Sequence, residues 1–447
     1  MADFPGQFVL TCDDPTPGNV VVNFNAPTGR TLLGGVFGFS GAGLNTGVSG
    51  TPNDFSTLLN SDFQTSAAKL KPGLIRFNTQ QTDRMFRFHI FPNLPDVSTP
   101  NWTVLDRWIT NHAGFFNDTT GRLVFGIGPA FNDRDIAAST WAQIATLTAV
   151  HLRNLGQECF WWEVGNEPDG TDGELGNATP LSPLEYMMYY NAIATALHSV
   201  NANYKVGGPC TSFFRSDYNT PLIQQTGAQL GFLCYHTYAF NVGNLPASSA
   251  AIYQHAIDDA TPQSARAALG NPNTPIFLGE YNMVLDGGNN ASFDTAMYTA
   301  LLLTNYFNRD PHFDMSAVWD FAGPNGGFAC IANQFQGSDY RNIDPQGWYL
   351  GYAGQWLPGT QMNVSHSLTS CDILATRNGS RFAVQVINSG IGNAQTIHID
   401  FTGAILSGQA TLVRLSDTST PIPVGLTSLD NIACVGPTIL LISGNLV

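Results

Sequence analysis

The stretch CFWWEVGNEPDG, Cys159–Gly170, places acidic residues within and directly after an apolar, aromatic run. Only 11% of the residues in this chain are charged, so acids in a segment that looks buried need an explanation. Near-continuous apolar runs are typical of parallel strands that are covered on both faces. In a closed parallel barrel, functional side chains gather at the carboxyl ends of the strands, where Glu167 falls. The stretch therefore predicts a barrel strand that ends at a functional carboxylate.

Seven further runs of this kind alternate with longer segments between about residues 31 and 350. They are LGGVFGFS (33–40), GLIRF (73–77), LVFGIG (123–128), YKVGGP (204–209), FLCYHTY (232–238), PIFLGEY (275–281) and SAVWDF (316–321). The intervening segments 141–156, 183–200 and 292–307 have helical patterns, and Ser182 with Glu185 has capping-box spacing. Eight strand–helix repeats predict an α/β fold, a (β/α)8 TIM barrel. A doubly wound open sheet is the alternative, but no Gly-x-Gly-x-x-Gly follows the first run.

The pattern changes beyond about residue 350, where short strand-like runs are separated by turn residues. The pair Asn378-Gly379 between two such runs predicts a hairpin. The first thirty residues also look like strands. We expect a catalytic barrel over 31–350 and an accessory β-sandwich formed by 1–30 together with 351–447.

Composition limits the partners. The net charge of −15 disfavours nucleic acid and anionic membranes as partners. No apolar run is long enough to predict a transmembrane helix. No signal peptide is visible, yet the low lysine content is common in secreted enzymes. We therefore expect a secreted protein whose signal is absent from this sequence, with a cytoplasmic protein as the alternative.

Seven scattered cysteines without a Cys-x-x-Cys pair indicate no structural zinc site, and the sequence does not assign disulfides.

A second acid, Glu280, lies near the end of the seventh predicted strand, while Glu167 ends the fourth. In an eight-stranded barrel, the ends of strands four and seven face each other across the barrel mouth. Cleavage of a glycosidic bond needs one carboxylic acid to protonate the leaving oxygen and one carboxylate to attack or to activate water. Glu167 and Glu280 are therefore the predicted catalytic pair. Their separation distinguishes retention from inversion, and the sequence does not give it.

Other residues near the predicted strand ends are candidates for substrate binding. Strand alternation places Glu163 and Glu167 on one face and Asn166 on the other. We expect Glu163 to be a structural acid that pairs with Arg76. His236 and Tyr238, at the end of the sixth strand, could hold Glu280 ionised and in position.

Trp319 on the eighth strand is a candidate floor for a sugar ring, or simply a core residue. Asp320 beside it is expected to be structural.

The motifs GNEP and GEY on strands four and seven resemble the retaining glycoside hydrolases of clan A. Within that clan, PIFLGEYN, HTY and AVWDF are similar to glycoside hydrolase family 39, the β-xylosidase and α-L-iduronidase family. The segments LKPGLIRFNTQQTDRMFRF and WEVGNEP look more like family 79, the β-glucuronidases and heparanase. The resemblance spans most of the barrel and also implies an accessory β-sandwich.

The resemblance implies a role for each matching residue. Glu167 matches the acid/base and Glu280 the nucleophile. Asn166 matches the residue that contacts the sugar 2-hydroxyl. Tyr238 matches the tyrosine beside the nucleophile, and Arg76 a supporting barrel arginine.

Two departures leave the substrate open. Leu285 stands where family 79 often has a sugar-binding tyrosine, although Gly287 matches that family's glycine. Asn78-Thr79 replaces the His-Gly of family 39. We expect a retaining glycosidase without metal or cofactor that acts on a carbohydrate, a β-xyloside-like substrate in exo mode being favoured. A uronic-acid glycosidase, a transglycosylase and a non-catalytic carbohydrate-binding barrel are the alternatives. The oligomeric state is not predicted.

Overall fold

A computed structural model of the chain describes residues 17–41, 61–171, 179–269, 271–285, 292–321, 330–331, 341–416 and 420–447. The first described strand, β1 (Pro17–Leu32), precedes the barrel. The barrel strands are β2 (Gly38–Ser40), β3 (Ile75–Phe77), β4 (Leu123–Ala130), β5 (Trp161–Asn166), β6 (Lys205–Thr211), β7 (Leu233–Asn241), β8 (Ile276–Leu285) and β9 (Phe313–Val318). They are parallel and close in chain order, β9 pairing with β2. The TIM barrel expected from the sequence is confirmed.

Helices follow the barrel strands along the chain. The α-helices are α1 (Ser61–Leu70), α2 (Thr79–Met85), α3 (Thr103–His112), α4 (Ala138–Asn154), α5 (Pro183–Val200), α6 (Ser216–Thr226), α7 (Ser249–Asp258), α8 (Thr261–Ala268), α9 (Phe293–Arg309) and α10 (Pro345–Trp356). Short 3-10 helices cover Gly34–Phe37, Ala113–Phe115, Gly227–Gln229 and Val242–Asn244, and a π-helix covers Phe86–Ile90. Among the described helices, none combines the length and apolar character needed to cross a bilayer.

Local signals explain several element ends. Helix α5 begins with the expected capping box, in which the Ser182 hydroxyl accepts from Glu185 N and the Glu185 carboxylate accepts from Ser182 N. Helix α4 is followed by Gly156 at a φ of +70°, a left-handed conformation that glycine adopts readily. The first barrel strand is shorter than expected, because residues 34–37 form a 3-10 turn and only 38–40 pair.

A second sheet contains the accessory strands. They are β10 (Gly359–His366), β11 (Cys371–Asn378), β12 (Arg381–Asn388), β13 (Ala394–Thr402), β14 (Leu406–Leu415), β15 (Val424–Leu426), β16 (Ile432–Val435) and β17 (Thr438–Leu446). The order is β15-β14-β17-β12-β11-β10-β1-β13-β16. The predicted hairpin joins β11 to β12, where Asn378 pairs with Arg381 and Gly379 has a φ of +61°.

This accessory sheet curls around its own core. Phe24 of β1 and Phe382 of β12 lie 6.3 Å apart between ring centroids, although two strands separate β1 from β12. Phe401 of β13 completes the aromatic cluster, at 5.0 Å from Phe24. The accessory β domain is therefore one continuous, curled sheet. Of the strand-like first thirty residues, the run QFVLTC at 7–12 lies outside the described residues. The domain boundaries at 30/31 and 350/351 stay predictions.

Candidate active site

Arg76 lies at the centre of the candidate site. It is fully buried on β3. Its guanidinium donates to both oxygens of Glu163 at 2.8 and 2.6 Å, to Glu280 Oε1 at 2.6 Å, to Asn166 Oδ1 at 2.8 Å and to Ser40 Oγ at 3.2 Å. A sixth, longer contact joins Arg76 Nη2 to His236 Nε2 at 3.4 Å. A guanidinium has five N–H groups, so these contacts occupy all of them. Burial would lower the pKa of Arg76, but the two carboxylates raise it well above its usual range.

Glu280 lies in β8 and is almost completely buried. Besides Arg76, Tyr238 donates its hydroxyl to Glu280 Oε2 at 3.0 Å, and Asn78 Nδ2 donates to Oε1 at 3.4 Å. Burial alone would raise the pKa of Glu280, but the charges of His236 and Arg76, with these hydrogen bonds, lower it below its usual range. Glu280 is therefore held as a carboxylate.

Glu167 follows β5 directly and is the more accessible acid, with a side-chain exposure of 19%. Its backbone has a φ of +46°, and its N–H donates to Cys210 O at 2.8 Å on the neighbouring strand. The carboxylate contacts His236 Nδ1 at 2.9 Å. Burial raises the pKa of Glu167, and the negative charge of Glu280 adds to the effect despite the opposing contact with His236. Glu167 is therefore the carboxyl group of the pair that more readily keeps a proton.

His236 lies between the two acids. Its Nδ1 is 2.9 Å from Glu167 Oε1 and 3.6 Å from Glu280 Oε2. The sequence suggested a role in holding Glu280, but the closer partner is Glu167. Burial would lower the pKa of His236, whereas the Glu280 charge and the hydrogen bond with Glu167 raise it. The imidazole therefore couples the ionisation of the two carboxyl groups.

One carboxylate oxygen of Glu167 and one of Glu280 lie within 4.8 Å of each other, and one ring nitrogen of His236 lies within the same distance of both oxygens. Retaining glycosidases have carboxyl groups about 5–5.5 Å apart, whereas inverting enzymes leave roughly 6.5–9.5 Å for a water molecule. The arrangement is therefore suited to direct attack by one carboxylate on a sugar carbon.

Metal-ligating atoms also come together in this region. Within the described part of the chain, two groups have potential ligand atoms within 4.8 Å of one another: Glu167 with His236 and Glu280, and Glu163 with Cys210 and Cys234. In each group one carboxylate already binds the Arg76 guanidinium. Its positive charge opposes the binding of a cation.

The end of β5 departs from simple strand alternation. Asn166 was expected on the opposite face from Glu163, and this expectation is wrong, because both side chains contact Arg76 Nη2. The cause is local: Gly165 has a φ of +77°, and the β4–β5 register shifts between Val164 and Asn166. The irregular backbone turns Asn166 back toward the site.

The remaining candidates have different surroundings. Trp319 is half-buried, and its carbonyl accepts from Asn282 Nδ2 at 2.6 Å. The Trp319–Asp320 peptide is cis. Burial, with the charge of Glu280, raises the pKa of Asp320 to about 7. Gly287 lies outside the described residues.

Sequence reasoning missed two contributors. Asn78 was noted only as a departure from family 39, yet it contacts Glu280 and caps α2 through its side chain. Ser40 ends β2 and binds Arg76. The available signal for each was its position at the carboxyl end of a barrel strand, where polar side chains face the barrel mouth.

The sequence model of the family described as "Glycosyl hydrolases family 39" matches residues 135–321, which include both strand-end glutamates. The chain is a glycoside hydrolase that resembles family 39. Solved enzymes of glycoside hydrolase families 30, 39 and 51 share its fold. No curated protein sequence matches the hydrolase at a significant level. The features that look like family 79 stay a prediction.

Several solved structures are similar to the hydrolase over nearly its whole length. A monomeric β-xylosidase from Caulobacter crescentus CB15 is 15% identical with a TM-score of 0.64, over 96% of this chain and 99% of that one. The family 51 α-L-arabinofuranosidase AbfB from Bifidobacterium longum is 13% identical with a TM-score of 0.68, over 96% and 100%. A GH30 endoxylanase from Clostridium papyrosolvens C71 is 14% identical with a TM-score of 0.60, over 96% and 100%. At these identities the likeness shows a shared fold.

Proposed function

We propose that the hydrolase removes terminal β-xyloside-like sugars with retention of configuration, with Glu280 as nucleophile and Glu167 as acid/base. The observation that carries the proposal is the close approach of the two carboxyl groups, of which one oxygen each lies within 4.8 Å of the other. Carboxyl groups that approach this closely resemble a retaining pair, whereas the groups of an inverting pair stand roughly 6.5–9.5 Å apart. This spacing suits a covalent glycosyl-enzyme.

The two acids divide the reaction between them. In the first step Glu280 Oε attacks the anomeric carbon while Glu167 gives its proton to the departing glycosidic oxygen. In the second step Glu167 takes a proton from water, the resulting hydroxyl attacks the anomeric carbon, and the Glu280 carboxylate is released. The opposite pKa shifts of the two carboxyl groups support this assignment of acid and nucleophile.

The saturated state of Arg76 favours a neutral sugar. All five of its N–H groups are taken by protein acceptors. Arg76 is therefore not available to bind a sugar carboxylate, and a uronic acid would lie close to the carboxylates of Glu280 and Glu167. Two of the similar structures, the β-xylosidase and the endoxylanase, are named for action on xylose-containing substrates. These observations support a xyloside over a uronide.

Neighbouring residues would bind the sugar. Asn166 accepts from Arg76 through Oδ1, so its amide NH2 is the group that we propose binds the sugar 2-hydroxyl. Trp319 would supply the floor for the ring. Tyr238 would keep Glu280 oriented during attack.

The test is hydrolysis of aryl β- and α-glycosides, comprising xyloside, glucuronide, iduronide, arabinoside, galactoside and glucoside. We expect wild type to cleave the β-xyloside and Glu280→Gln to lose at least about a thousandfold in kcat. The matched control is Glu158→Gln, whose carboxylate binds Asn201 and Tyr204 outside the site. It should retain wild-type activity.

Product stereochemistry tests the mechanism separately. NMR of the first-formed sugar should show the β-anomer, and an α-anomer from a β-xyloside would overturn the retaining assignment. Cleavage of the glucuronide and of no other glycoside in the panel would overturn the proposal that the substrate is a xyloside. Glycosylated acceptors in place of free sugar would indicate a transglycosylase. If the folded protein hydrolyses neither the panel nor xylo-oligosaccharides, the result would indicate a non-catalytic carbohydrate-binding barrel.

A further inference from the structure

Two cysteines from different strands of the accessory sheet lie side by side. Cys371 begins β11, and Cys434 lies on the edge strand β16. Three strands, β10, β1 and β13, separate β11 from β16 in the sheet order. The two cysteines nevertheless lie close together, because the sheet curls and brings these strands together.

Two side-chain amides also connect the strands that carry the two cysteines. Asn388 is the ladder partner of Cys371, and its Nδ2 donates to Cys434 O at 3.1 Å. Gln395 is the ladder partner of Cys434, and its Nε2 donates to Cys371 Sγ at 3.4 Å. Each cysteine is thus contacted by the partner of the other. This reciprocal arrangement fixes the approach of the two strands.

We propose that Cys371 and Cys434 form a disulfide when the hydrolase meets a low-molecular-weight disulfide such as oxidised glutathione, and that this bond closes the curled sheet. Both are free thiols in this structure. Cys371 is half-buried and so reaches solvent, whereas Cys434 is buried. An oxidant can therefore reach one sulfur of a pair whose second sulfur is already in place.

The reaction is ordinary thiol–disulfide exchange. Cys371, as thiolate, attacks one sulfur of oxidised glutathione, which forms a mixed disulfide and releases one glutathione thiolate. Cys434 then attacks the Cys371 sulfur and releases the second glutathione. The two cysteine protons leave on the two reduced glutathione molecules, so atoms and electrons balance. The hydrogen bond with Cys434 and burial raise the pKa of Cys371, so only a small thiolate fraction carries out the first attack and this step is slow. The hydrogen bond from Cys371, with Asn388 and Arg414, lowers the pKa of Cys434 and favours its thiolate in the second step.

A second thiol pair in the barrel provides an internal contrast. Cys210 and Cys234 also contact each other, but both are fully buried, and Cys234 donates to Glu163 Oε2 at 3.6 Å. An oxidant cannot reach either sulfur in the folded protein, so we expect this pair to stay reduced. The contrast separates a specific disulfide from general oxidation of neighbouring thiols.

Peptide mapping tests the proposal directly. Tryptic cleavage at Lys and Arg places each of the seven cysteines in a different peptide, with Cys371 in 342–377 and Cys434 in 415–447. The full chain is incubated with oxidised glutathione, denatured, alkylated with iodoacetamide and digested without reductant. We expect a linked 342–377/415–447 pair that separates on reduction. Recovery of both peptides alkylated, or of Cys371 linked elsewhere, would overturn the proposal.

Thermal unfolding supplies a second readout. A disulfide across about sixty residues should raise the melting midpoint of the oxidised protein by roughly 3–5 °C over the reduced protein. Cys371→Ser should abolish this difference, and Cys159→Ser, at a buried barrel thiol, should keep it. An oxidised-minus-reduced difference that persists in Cys371→Ser would show that another pair is responsible. If Cys371→Ser fails to fold, the peptide map of the wild type still decides.

Discussion

A few hydrogen bonds set the ionisation of the hydrolase's two acids. Glu280 is buried, which opposes its charge, yet Arg76, His236 and Tyr238 reverse that effect and lower its pKa. Glu167 lies at the same barrel mouth, but its own contact with His236 does not overcome burial and the charge of Glu280. Two carboxyl groups of the same chemistry thus acquire different proton affinities from their partners alone.

Tyr238→Phe tests whether a single hydrogen bond helps to keep Glu280 ionised. The change removes the hydroxyl that donates to Glu280 Oε2 at 3.0 Å, and hydrogen bonds to charged groups contribute about 1.5–3 kcal/mol. We expect kcat/KM to fall roughly 10- to 100-fold. The pKa of Glu280 should rise, so the acid limb of the pH profile should move to higher pH while the alkaline limb stays.

The matched control is Tyr189→Phe, whose hydroxyl donates to Ile136 O at 3.1 Å away from the acids. It should leave both limbs unchanged. An unshifted acid limb in Tyr238→Phe would mean that this hydroxyl does not hold Glu280 ionised.

At the scale of the element, the end of β5 is the unusual feature. Gly165 has a φ of +77° and Glu167 a φ of +46°, and these two conformations flank Asn166. A regular strand would point Asn166 away from Glu163. The irregular end instead directs Asn166 to Arg76 and Glu167 to His236.

Gly165→Ala tests whether this backbone is required. A Cβ at Gly165 would lie 3.3 Å from the Tyr186 ring, which is fixed by its hydroxyl bond to Val164 O. The left-handed conformation and the contact together should lower the free energy of unfolding by about 1–3 kcal/mol. Because Asn166 and Glu167 follow directly, kcat/KM should fall as well, which chemical denaturation and steady-state kinetics would measure.

Gly379→Ala separates the cost of the left-handed backbone conformation from the cost of the contact with the Tyr186 ring. Gly379 also has a positive φ, of +61°, but an added Cβ there meets no heavy atom of the described residues within 4 Å. This hairpin variant should lose only the conformational part, about 1 kcal/mol, and keep full activity. Equal losses in both variants would exclude a role for Tyr186 packing.

At the scale of the whole molecule, a buried polar contact joins the accessory sheet to the barrel helices. Gln385 of β12 accepts from Tyr349 of α10 at 3.0 Å and donates to Thr304 of α9 at 2.8 Å. Arg30 of β1 also reaches α9, where it donates to Phe307 O and lies 4.2 Å over the Phe307 ring. Polar groups buried between two units must be satisfied across the contact, which fixes how the units meet.

Gln385→Leu should therefore weaken this contact. The hydroxyls of Tyr349 and Thr304 would lose their partner in a buried position, with a cost of about 1–3 kcal/mol in the free energy of unfolding. Urea denaturation measures the loss, and kcat of the folded enzyme should be unchanged. Gln409→Leu, the same substitution at an exposed position of β14, should stay within about 0.5 kcal/mol of wild type. A similar loss in both variants would exclude a specific contribution of this contact.

The sequence by itself determined the architecture. Strands covered on both faces must be apolar throughout, so the eight barrel runs were visible without any structure, and polar residues at their ends, such as Glu167 and Glu280, stood out against them. The curl of the accessory sheet was less predictable. Alternation shows which face of a strand is apolar, but it does not show which distant strand will cover that face.

Only the tertiary structure decided how the site residues are partnered. Arg76 lies 87 residues from Glu163 and 204 residues from Glu280 in sequence, and it contacts both because the barrel closes. The position of Asn166 depends on a local backbone irregularity that alternation does not predict. The closer partner of His236 likewise depends on distances across the barrel mouth. Local sequence sets the strands, whereas proton affinities follow from contacts that exist only after the barrel has closed.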